Sequence, residues 1–237
     1  MLTERRIISQ GTSVRAITDP DDSLSIAGIA APFHRYADLK GYRERILPGA
    51  LKKVLARSAQ VRSDGADVVA LLNHDSNFVL GRMSNRTLTA EEVSSGLAFR
   101  CQLPPTSYAR DLHALIQRRD ITGCSFGFAC NPDGSDEVWD TADDEDEDEP
   151  TRSKRSTKFV RRTIRNLSML SDVSVCTYPA YTTGTSVDAR SFTTAIPETC
   201  PVEFRSLILA ARGEDVAHGM ARDLLSRRRR VIDQLMG

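Results

Sequence analysis

Residues 121–130 read Ile-Thr-Gly-Cys-Ser-Phe-Gly-Phe-Ala-Cys. In a β-strand successive side chains point to opposite faces, so Ser125 shares one face with Gly123 and Gly127. The opposite face then carries Cys124, Phe126 and Phe128. Glycine weakens a strand and leaves its surroundings bare, which suits a position where a second backbone comes close. The pattern therefore predicts that Ser125 is a nucleophile with an extended substrate chain lying across it.

Composition sets broad limits on the class of protein. The chain has 237 residues, a formal net charge of zero and 40% hydrophobic residues, enough to bury a core. A net charge of zero does not indicate binding to nucleic acid or to a membrane surface. No stretch approaches the roughly 18 apolar residues of a membrane span. The N-terminus lacks the apolar core of a signal peptide. Five cysteines without a C-x-x-C pair indicate a reduced, cytosolic protein without structural zinc.

Apolar patterning predicts a mixed fold. We expect strands at residues 24–31, 68–72, 78–83, 97–103, 121–130 and about 167–177. We expect helices at 48–58 and from about 106 to 119, and a charged turn at 89–96. Short strands with two or three helices indicate an α+β fold, either a mixed domain or a small, mostly antiparallel β-barrel surrounded by helices.

The charge pattern divides the chain further. Residues 1–20 are polar and are predicted to form an irregular arm, followed by a core domain at 21–190. Within it, residues 141–158 form a charged insert, with seven consecutive acids at 143–149 and a basic stretch after them; such a block is usually solvated and disordered. The extension at 191–237 contains an apolar helical stripe of Val216, Met220, Leu224, Ile232 and Leu235. That helix could pack on the core, pair with a second copy or dock on an assembly.

A serine nucleophile needs a base, and histidine is the usual one because its pKa is near neutrality. Of four histidines, His74 is the best placed, at the point where the apolar strand 68–72 opens into a loop. His34 lies in a predicted loop, His113 within a predicted helix and His218 in the C-terminal tail.

The imidazole in turn needs an orienting acid. Asp172 is the leading candidate, because an unpaired carboxylate in an apolar and hydroxylic strand would be costly. Asp75 is the competitor, although adjacent residues on an extended chain point apart, which argues against direct pairing with His74. Asp172, Ser174 and Cys176 are predicted to share one face of their strand.

Other chemistries are less favoured by the sequence. Cys124 is a rival nucleophile, but it shares a face with two phenylalanines that are expected in the core. Residues 123–127 match the G-x-S-x-G nucleophile elbow, yet the strand continues into a turn at 131–134 rather than into a helix. No phosphate-loop, dinucleotide or zinc-helix motif occurs, so neither a cofactor nor a metal is expected.

Taken together, several segments resemble the prohead (capsid-maturation) proteases of tailed bacteriophages. The segments that carry the resemblance cover about residues 24–185. They are Tyr-Arg-Glu-Arg-Ile-Leu-Pro-Gly-Ala at 42–50, Leu-Asn-His-Asp at 72–75, Leu-Gly-Arg at 80–82, Gly-Leu at 96–97, Ile-Thr-Gly-Cys-Ser-Phe-Gly-Phe at 121–128, Leu-Ser-Asp-Val-Ser at 170–174 and Pro-Ala at 179–180.

The resemblance implies both a fold and an activity. That family is similar in fold to the herpesvirus assembly proteases, a small β-barrel wrapped by helices. Its members are serine endopeptidases that enter the procapsid in the host cytoplasm and cut scaffold protein or the scaffolding region of the major capsid protein, and often themselves. Carried onto this sequence, Ser125 is the nucleophile, His74 the general base and Asp172 the orienting acid.

Two departures and one alternative function accompany this interpretation. The herpesvirus relatives use a second histidine as third member, whereas no histidine lies between Ser125 and His218 here, and the insert at 141–158 is long for the family pattern. A catalytically inactive capsid-assembly or scaffolding protein of the same fold is the alternative function. The family resemblance and the apolar stripe at 216–235 also suggest a homodimer, and no specific nucleic acid or membrane partner is expected.

Overall fold

A computed structural model describes residues 4–7, 12–59, 67–143, 158–177 and 196–213. Among these residues, the helices are α1 Lys52–Ala59, α2 Ser107–Gln117 and α3 Val202–Ala211. The described strands are β1 Glu4–Ile7, β2 Ser13–Thr18, β3 Leu24–Pro32, β4 Ala37–Leu39, β5 Tyr42–Ile46, β6 Val69–Leu72, β7 Asp75–Arg82, β8 Leu88–Val93, β9 Gly96–Gln102, β10 Gly123–Ala129, β11 Glu137–Ala142, β12 Phe159–Ile164 and β13 Met169–Cys176. The fold is therefore mixed α+β and consists mostly of strands.

The sheet that holds Ser125 has the order β1-β10-β13-β6-β7. β13 and β6 run parallel, and the other neighbours in this sheet are antiparallel. In the β10–β13 ladder, Ser125 lies opposite Ser174 and Gly127 lies opposite Asp172. Residues opposite each other on paired strands point to the same face, so the ladder brings these four positions together on one surface of the sheet.

A second sheet is fully antiparallel, with the order β2-β3-β9-β8. α2 packs on β2 and β3 through the face formed by Ala109, Leu112, His113 and Ile116. That spacing of three and four residues is the stripe of an amphipathic helix. His113 Nε2 lies 3.0 Å from the carbonyl oxygen of Ile17, which gives this buried histidine a structural partner.

Glu92 of β8 provides the N-terminal cap of α1. Its carboxylate accepts hydrogen bonds from the backbone N–H groups of Gly49 at 2.6 Å and Leu51 at 3.2 Å. These donors lie just before the helix, where backbone N–H groups lack intrahelical partners and an acid is favoured by the helix dipole. The predicted charged turn at 89–96 is therefore wrong: most of it is a strand whose acidic residue stabilises a neighbouring helix.

The chain divides into two compact units, of which the first takes its described residues from 1–37, 45–138 and 163–193. The second takes them from 38–44, 139–162 and 194–237. In the second unit, α3 contributes Ile208 to a buried cluster with Tyr42, Val160 and Cys200. Arg162 and Glu44 form a buried ion pair at 2.7 Å in the same unit. The third sheet has the order β11-β12-β5-β4.

The prediction of a closed β-barrel is wrong. Within the described residues each of the three sheets is open, with β1 and β7, β2 and β8, or β11 and β4 at its edges. Closure requires pairing between the first and last strands of a sheet, and these edges do not pair. The arm at residues 1–20 is also less irregular than predicted, because β1 and β2 lie within it.

Two predicted segments lie mostly outside the described residues. Most of the charged insert, residues 144–157, is among them, and β11 and β12 flank it. The apolar stripe at residues 216–235 lies there as well, as does His218, whereas α3 precedes them in the C-terminal extension. The insert and the stripe therefore stay predictions.

Candidate active site

His74 occupies a two-residue hairpin turn between β6 and β7. Leu72 pairs with Asp75, and the intervening Asn73 and His74 have φ of 52° and 57°. Two consecutive left-handed residues are typical of the type I′ turn, which matches the twist of the flanking strands. Holding a histidine in this region costs free energy, and such strain persists only where the surroundings enforce it. The turn therefore fixes the backbone from which the imidazole projects.

The turn is anchored to the end of β13 by Asn73. Its backbone N–H donates to the carbonyl of Val175 at 2.9 Å, and its side-chain oxygen accepts from the backbone N–H of Thr177 at 3.0 Å. β13 also carries Asp172, so these hydrogen bonds tie the turn that holds His74 to the strand that holds Asp172. Sequence reasoning missed this role of Asn73, although asparagine is the non-glycine residue best suited to positive φ.

Ser125 lies in the middle of β10 with its hydroxyl against the imidazole. Ser125 Oγ is 2.5 Å from His74 Nε2. Both residues are buried, with Ser125 0% exposed and His74 5%. This short contact puts the hydroxyl within hydrogen-bond reach of the imidazole, as a nucleophile and its general base require.

Asp172 completes the chain of contacts, with Oδ2 at 2.6 Å from His74 Nδ1. Burial opposes ionisation of this carboxyl, but the hydrogen bond and positive charge of His74 and the hydroxyls of Ser174 and Ser171 outweigh it, so the pKa of Asp172 lies below its ordinary value. The carboxylate is therefore charged at neutral pH and accepts the proton of Nδ1. The tautomer that donates from Nδ1 to Asp172 presents Nε2 as an acceptor for the Ser125 hydroxyl.

Ser174 contacts both the acid and the base. Its hydroxyl donates to Asp172 Oδ2 at 2.8 Å and lies 3.2 Å from His74 Nδ1. It is fully buried, directly opposite Ser125 in the ladder. The predicted face shared by Asp172 and Ser174 is confirmed, whereas the contact of Ser174 with the imidazole was not foreseen.

The absence of a side chain at Gly127 leaves room for the carboxylate of Asp172. A Cβ at this position would lie 2.3 Å from Asp172 Oδ1 and 2.4 Å from Ser171 Oγ, distances that no real Cβ tolerates. Ser171 Oγ in turn donates to the same Oδ1 at 3.0 Å. The close approach of Asp172 and Ser171 therefore explains the glycine two residues after Ser125, which strand alternation alone could not do.

The thiols near the site are poorly suited to nucleophilic attack. Cys124 faces away from His74 with its thiol 3.4 Å from the carbonyl oxygen of Ser13, and burial raises its pKa well above the ordinary value. Burial and the nearby Asp172 raise the pKa of Cys176 to about 12, although a hydrogen bond with Ser125 opposes the change. A protonated thiol is a weak nucleophile, so burial disfavours both cysteines as nucleophiles at neutral pH. Phe126 and Phe128 are fully buried on the Cys124 face, as predicted.

The remaining candidates lie apart from this cluster. The Asp75 carboxylate accepts hydrogen bonds from the backbone and side-chain amides of Asn77, at 2.8 and 2.9 Å. His34 is exposed, in a turn with φ of 55°. A surface groove of about 440 Å³ lies along β2 and the end of α2, and its lining includes none of the three residues Ser125, His74 and Asp172.

A sequence profile of the family described as caudovirus prohead serine protease matches residues 11–196. The chain belongs to this family. A solved structure of the capsid assembly protease gp21 of bacteriophage T4 is similar at 11% sequence identity, with a TM-score of 0.41, covering 74% of this chain and 96% of that one. No curated protein sequence matches the chain.

In this member of the prohead serine protease family, the arrangement can remove a proton from a serine hydroxyl. A charged carboxylate holds one ring nitrogen, and the other ring nitrogen faces the hydroxyl, which is the geometry that activates serine. Within the described residues, no group of three or more histidine, cysteine, aspartate and glutamate side chains is placed to hold a metal ion. Among the described helices, none has the length and apolar character needed to cross a membrane.

Proposed function

We propose that this prohead protease is an active serine endopeptidase, with Ser125 as nucleophile, His74 as general base and Asp172 as orienting acid. One observation carries the proposal: the two ring nitrogens of His74 lie 2.5 Å from Ser125 Oγ and 2.6 Å from Asp172 Oδ2. Burial of the three residues supports it, because a dry site strengthens their interactions and excludes competing water.

In the proposed reaction, His74 Nε2 takes the hydroxyl proton as Ser125 Oγ attacks the scissile carbonyl carbon. The carbonyl π electrons move to oxygen, and the tetrahedral intermediate then collapses with cleavage of the C–N bond. The leaving amine takes the proton from Nε2, and an ester remains on Ser125. Water attacks the ester, gives a proton to Nε2 and releases the acid, after which the proton returns to Ser125. Asp172 stabilises the imidazolium in both steps.

The proposed substrates are proteins of the procapsid. We infer scaffold protein or the scaffolding region of the major capsid protein, cut inside the assembling shell in the host cytoplasm, together with self-cleavage. The family description, prohead serine protease, supports this class of substrate. The extended substrate chain is proposed to lie across Ser125, where main-chain hydrogen bonds would bind a peptide with little demand on its sequence.

Co-expression with the cognate capsid and scaffold proteins tests the proposal. We expect the unaltered chain to cleave them, and Ser125→Ala and His74→Ala to leave them intact. Cys124→Ala is the matched control, because it truncates the adjacent residue of the same strand on the opposite face, and it should cleave normally. Cleavage that persists in Ser125→Ala would contradict the serine mechanism.

The same experiment separates the alternatives. Cleavage lost only in Cys124→Ala would favour a cysteine peptidase. Intact capsid and scaffold proteins with the unaltered chain, together with normal procapsid assembly, would favour a catalytically inactive assembly protein of the same fold.

A further inference from the structure

Ser174 is placed at the centre of the candidate site by the pairing of three neighbouring strands. β13 lies between β10 and β6, and Ser174 pairs with Ser125 on one side and with Leu71 on the other. β10 carries the proposed nucleophile, and β6 leads into the turn that holds His74. Because a central strand is hydrogen-bonded on both sides, the pairings that place Ser125 and His74 also place Ser174.

Strand propensity does not explain a serine at this position. Its neighbours along the chain, Val173 and Val175, are β-branched residues of the kind that favours strands, whereas Ser174 is 0% exposed and brings a hydroxyl into the interior. Burying a hydroxyl costs free energy unless it is hydrogen-bonded. An alanine would leave the same room for the imidazole of His74, so the feature to be explained is the hydroxyl and not the small size of the side chain.

The hydroxyl of Ser174 lies between the proposed acid and the proposed base. Ser174 Oγ donates to Asp172 Oδ2 at 2.8 Å and lies 3.2 Å from His74 Nδ1, while Oδ2 and Nδ1 are 2.6 Å apart. The hydroxyl proton is directed to the carboxylate, so the lone pairs of Oγ remain available to Nδ1–H. The Nδ1 proton is therefore shared between two acceptors, as in a three-centre hydrogen bond.

Two serines of β13 hold the two oxygens of the carboxylate separately. Ser171 Oγ donates to Asp172 Oδ1 at 3.0 Å, and Ser174 donates to Oδ2, the oxygen that contacts His74. Hydrogen bonds to an ionised carboxylate are stronger than those between neutral groups. With a donor on each oxygen, rotation of the carboxylate is opposed, and Oδ2 stays against Nδ1.

We propose that Ser174 is a positioning residue of the serine peptidase. Its hydroxyl holds Asp172 Oδ2 against His74 Nδ1 and offers its own oxygen to the Nδ1 proton, so that the imidazole keeps the tautomer and the orientation that accept the Ser125 proton. The same contacts stabilise the imidazolium that forms in the reaction, because the lone pairs of Oγ face the positive ring while the hydroxyl proton faces the carboxylate. The inference rests on the proposed function and adds a fourth side chain to its three residues.

Hydrolysis of a peptide that spans a cleavage site tests this role in the full chain. Mass spectrometry of the capsid and scaffold fragments from the co-expression experiment identifies the site. Ser174→Ala removes the hydroxyl and keeps the room for the imidazole. We expect kcat to fall by about 10- to 100-fold, the effect of losing a hydrogen bond to a charged group, and KM to change by less than about twofold, because Ser174 does not bind the substrate. Urea unfolding verifies that the variant is folded.

Ser171→Ala is the comparison variant, because it removes a hydroxyl that donates to the same carboxylate from the same strand. Ser171 is partly exposed and bonds Oδ1, so water can take the place of its hydroxyl, whereas Ser174 is fully buried against His74. We expect kcat of Ser171→Ala to fall by less than about threefold. Equal losses in the two variants would contradict a role for the contact between Ser174 and the imidazole.

A double-mutant cycle separates positioning from a general loss of structure. If Ser174 acts through the carboxylate of Asp172, adding Ser174→Ala to Asp172→Asn should lower the residual kcat by less than about twofold. A serine that merely supports the strand would lower kcat by the same factor in both backgrounds, and that result would overturn the inference. Ser174→Cys is a second single variant, with a side chain of similar shape that donates only weakly, and its kcat should fall as well.

Unchanged kcat in the folded Ser174→Ala or Ser174→Cys chain would also overturn the inference, because the hydroxyl would then do no more than satisfy its own burial. If the unaltered chain cleaved capsid proteins in a Ser125-dependent manner in the same experiments, the proposed function would stand while this inference failed. If the unaltered chain cleaved neither capsid nor scaffold protein, the proposed function would fail and this inference with it.

Discussion

Gly127 and Asp172 face each other across the β10–β13 ladder so closely that a Cβ at residue 127 would lie 2.3 Å from Asp172 Oδ1. The strand that carries the candidate nucleophile thus has a glycine where the opposing strand carries the acid. The contact links two features of the sequence that look independent: bare positions around Ser125 and an acid buried in a strand 47 residues later.

Gly127→Ala should therefore impair catalysis by displacing the carboxylate. Misplacing a catalytic group by about 1 Å can cost about 10²-fold in rate, and we expect a fall in kcat of that order with a smaller change in KM. Peptide hydrolysis measures both, and circular dichroism verifies the fold. Cys124→Ala on the same strand is the control, because it changes a residue on the opposite face. Unchanged kcat in a folded Gly127→Ala chain would show that the reaction does not depend on the exact position of the Asp172 carboxylate.

Asp172→Asn and Asp75→Asn form a matched pair that identifies the orienting acid. Asparagine at 172 keeps the shape but cannot hold Nδ1–H as a charged acceptor, so His74 loses the required tautomer and the stabilisation of its charged form. We expect a decrease in kcat of about 10⁴-fold for Asp172→Asn. Asp75→Asn should change kcat by less than about twofold, because Asp75 bonds Asn77 instead of His74. The reverse ranking would move the role of acid to Asp75.

The features of this site that depend on neighbouring residues could be predicted from the sequence. Alternation along one strand separates Ser125 from Cys124, and the same rule places Asp172 with Ser174. A histidine at the end of an apolar strand is likewise visible in the sequence. Each of these features depends on neighbours within a few residues, which is why periodicity could find them.

Features that depend on pairing between strands far apart in the sequence could not be predicted from it. The strand β8 resembles a turn in the sequence because its exposed edge position permits the charged Glu91 and Glu92, which conceal its alternation. The pairing of β1 with β10 joins segments almost 120 residues apart, and backbone hydrogen bonds impose little demand on side chains. Whether sheets close into a barrel depends on such pairings, so the patterning of single strands could not decide it.

The ionisation of Asp172 links stability to pH. Its pKa is lower in the folded chain than the ordinary value of 3.8, so it stabilises the fold fully above that pH, and the contribution is lost as the pH falls through the folded value. As the pH drops below about 4, the free energy of unfolding of the unaltered chain should therefore fall by more than that of Asp172→Asn. Urea unfolding at pH 6, 4 and 3 measures the difference. A difference between the two chains that does not change with pH would contradict a lowered pKa.

Asn73 offers a test of how the His74 turn is held. Asn73→Gly keeps a residue that adopts positive φ freely but removes the side-chain hydrogen bonds to Thr177, whereas Asn73→Ala removes the same bonds and adds backbone strain. We expect Asn73→Ala to lower the free energy of unfolding by about 1–2 kcal/mol more than Asn73→Gly, since the left-handed region costs an alanine about that much.

If the anchoring of the turn to β13 positions the base, both variants should also lose kcat, because each loses the bonds to Thr177. Urea unfolding and peptide hydrolysis on the same preparations separate strain from anchoring. Equal stability of the two variants would show that the turn relaxes to another conformation, and wild-type kcat in both would show that His74 is positioned without the side-chain bonds to Thr177.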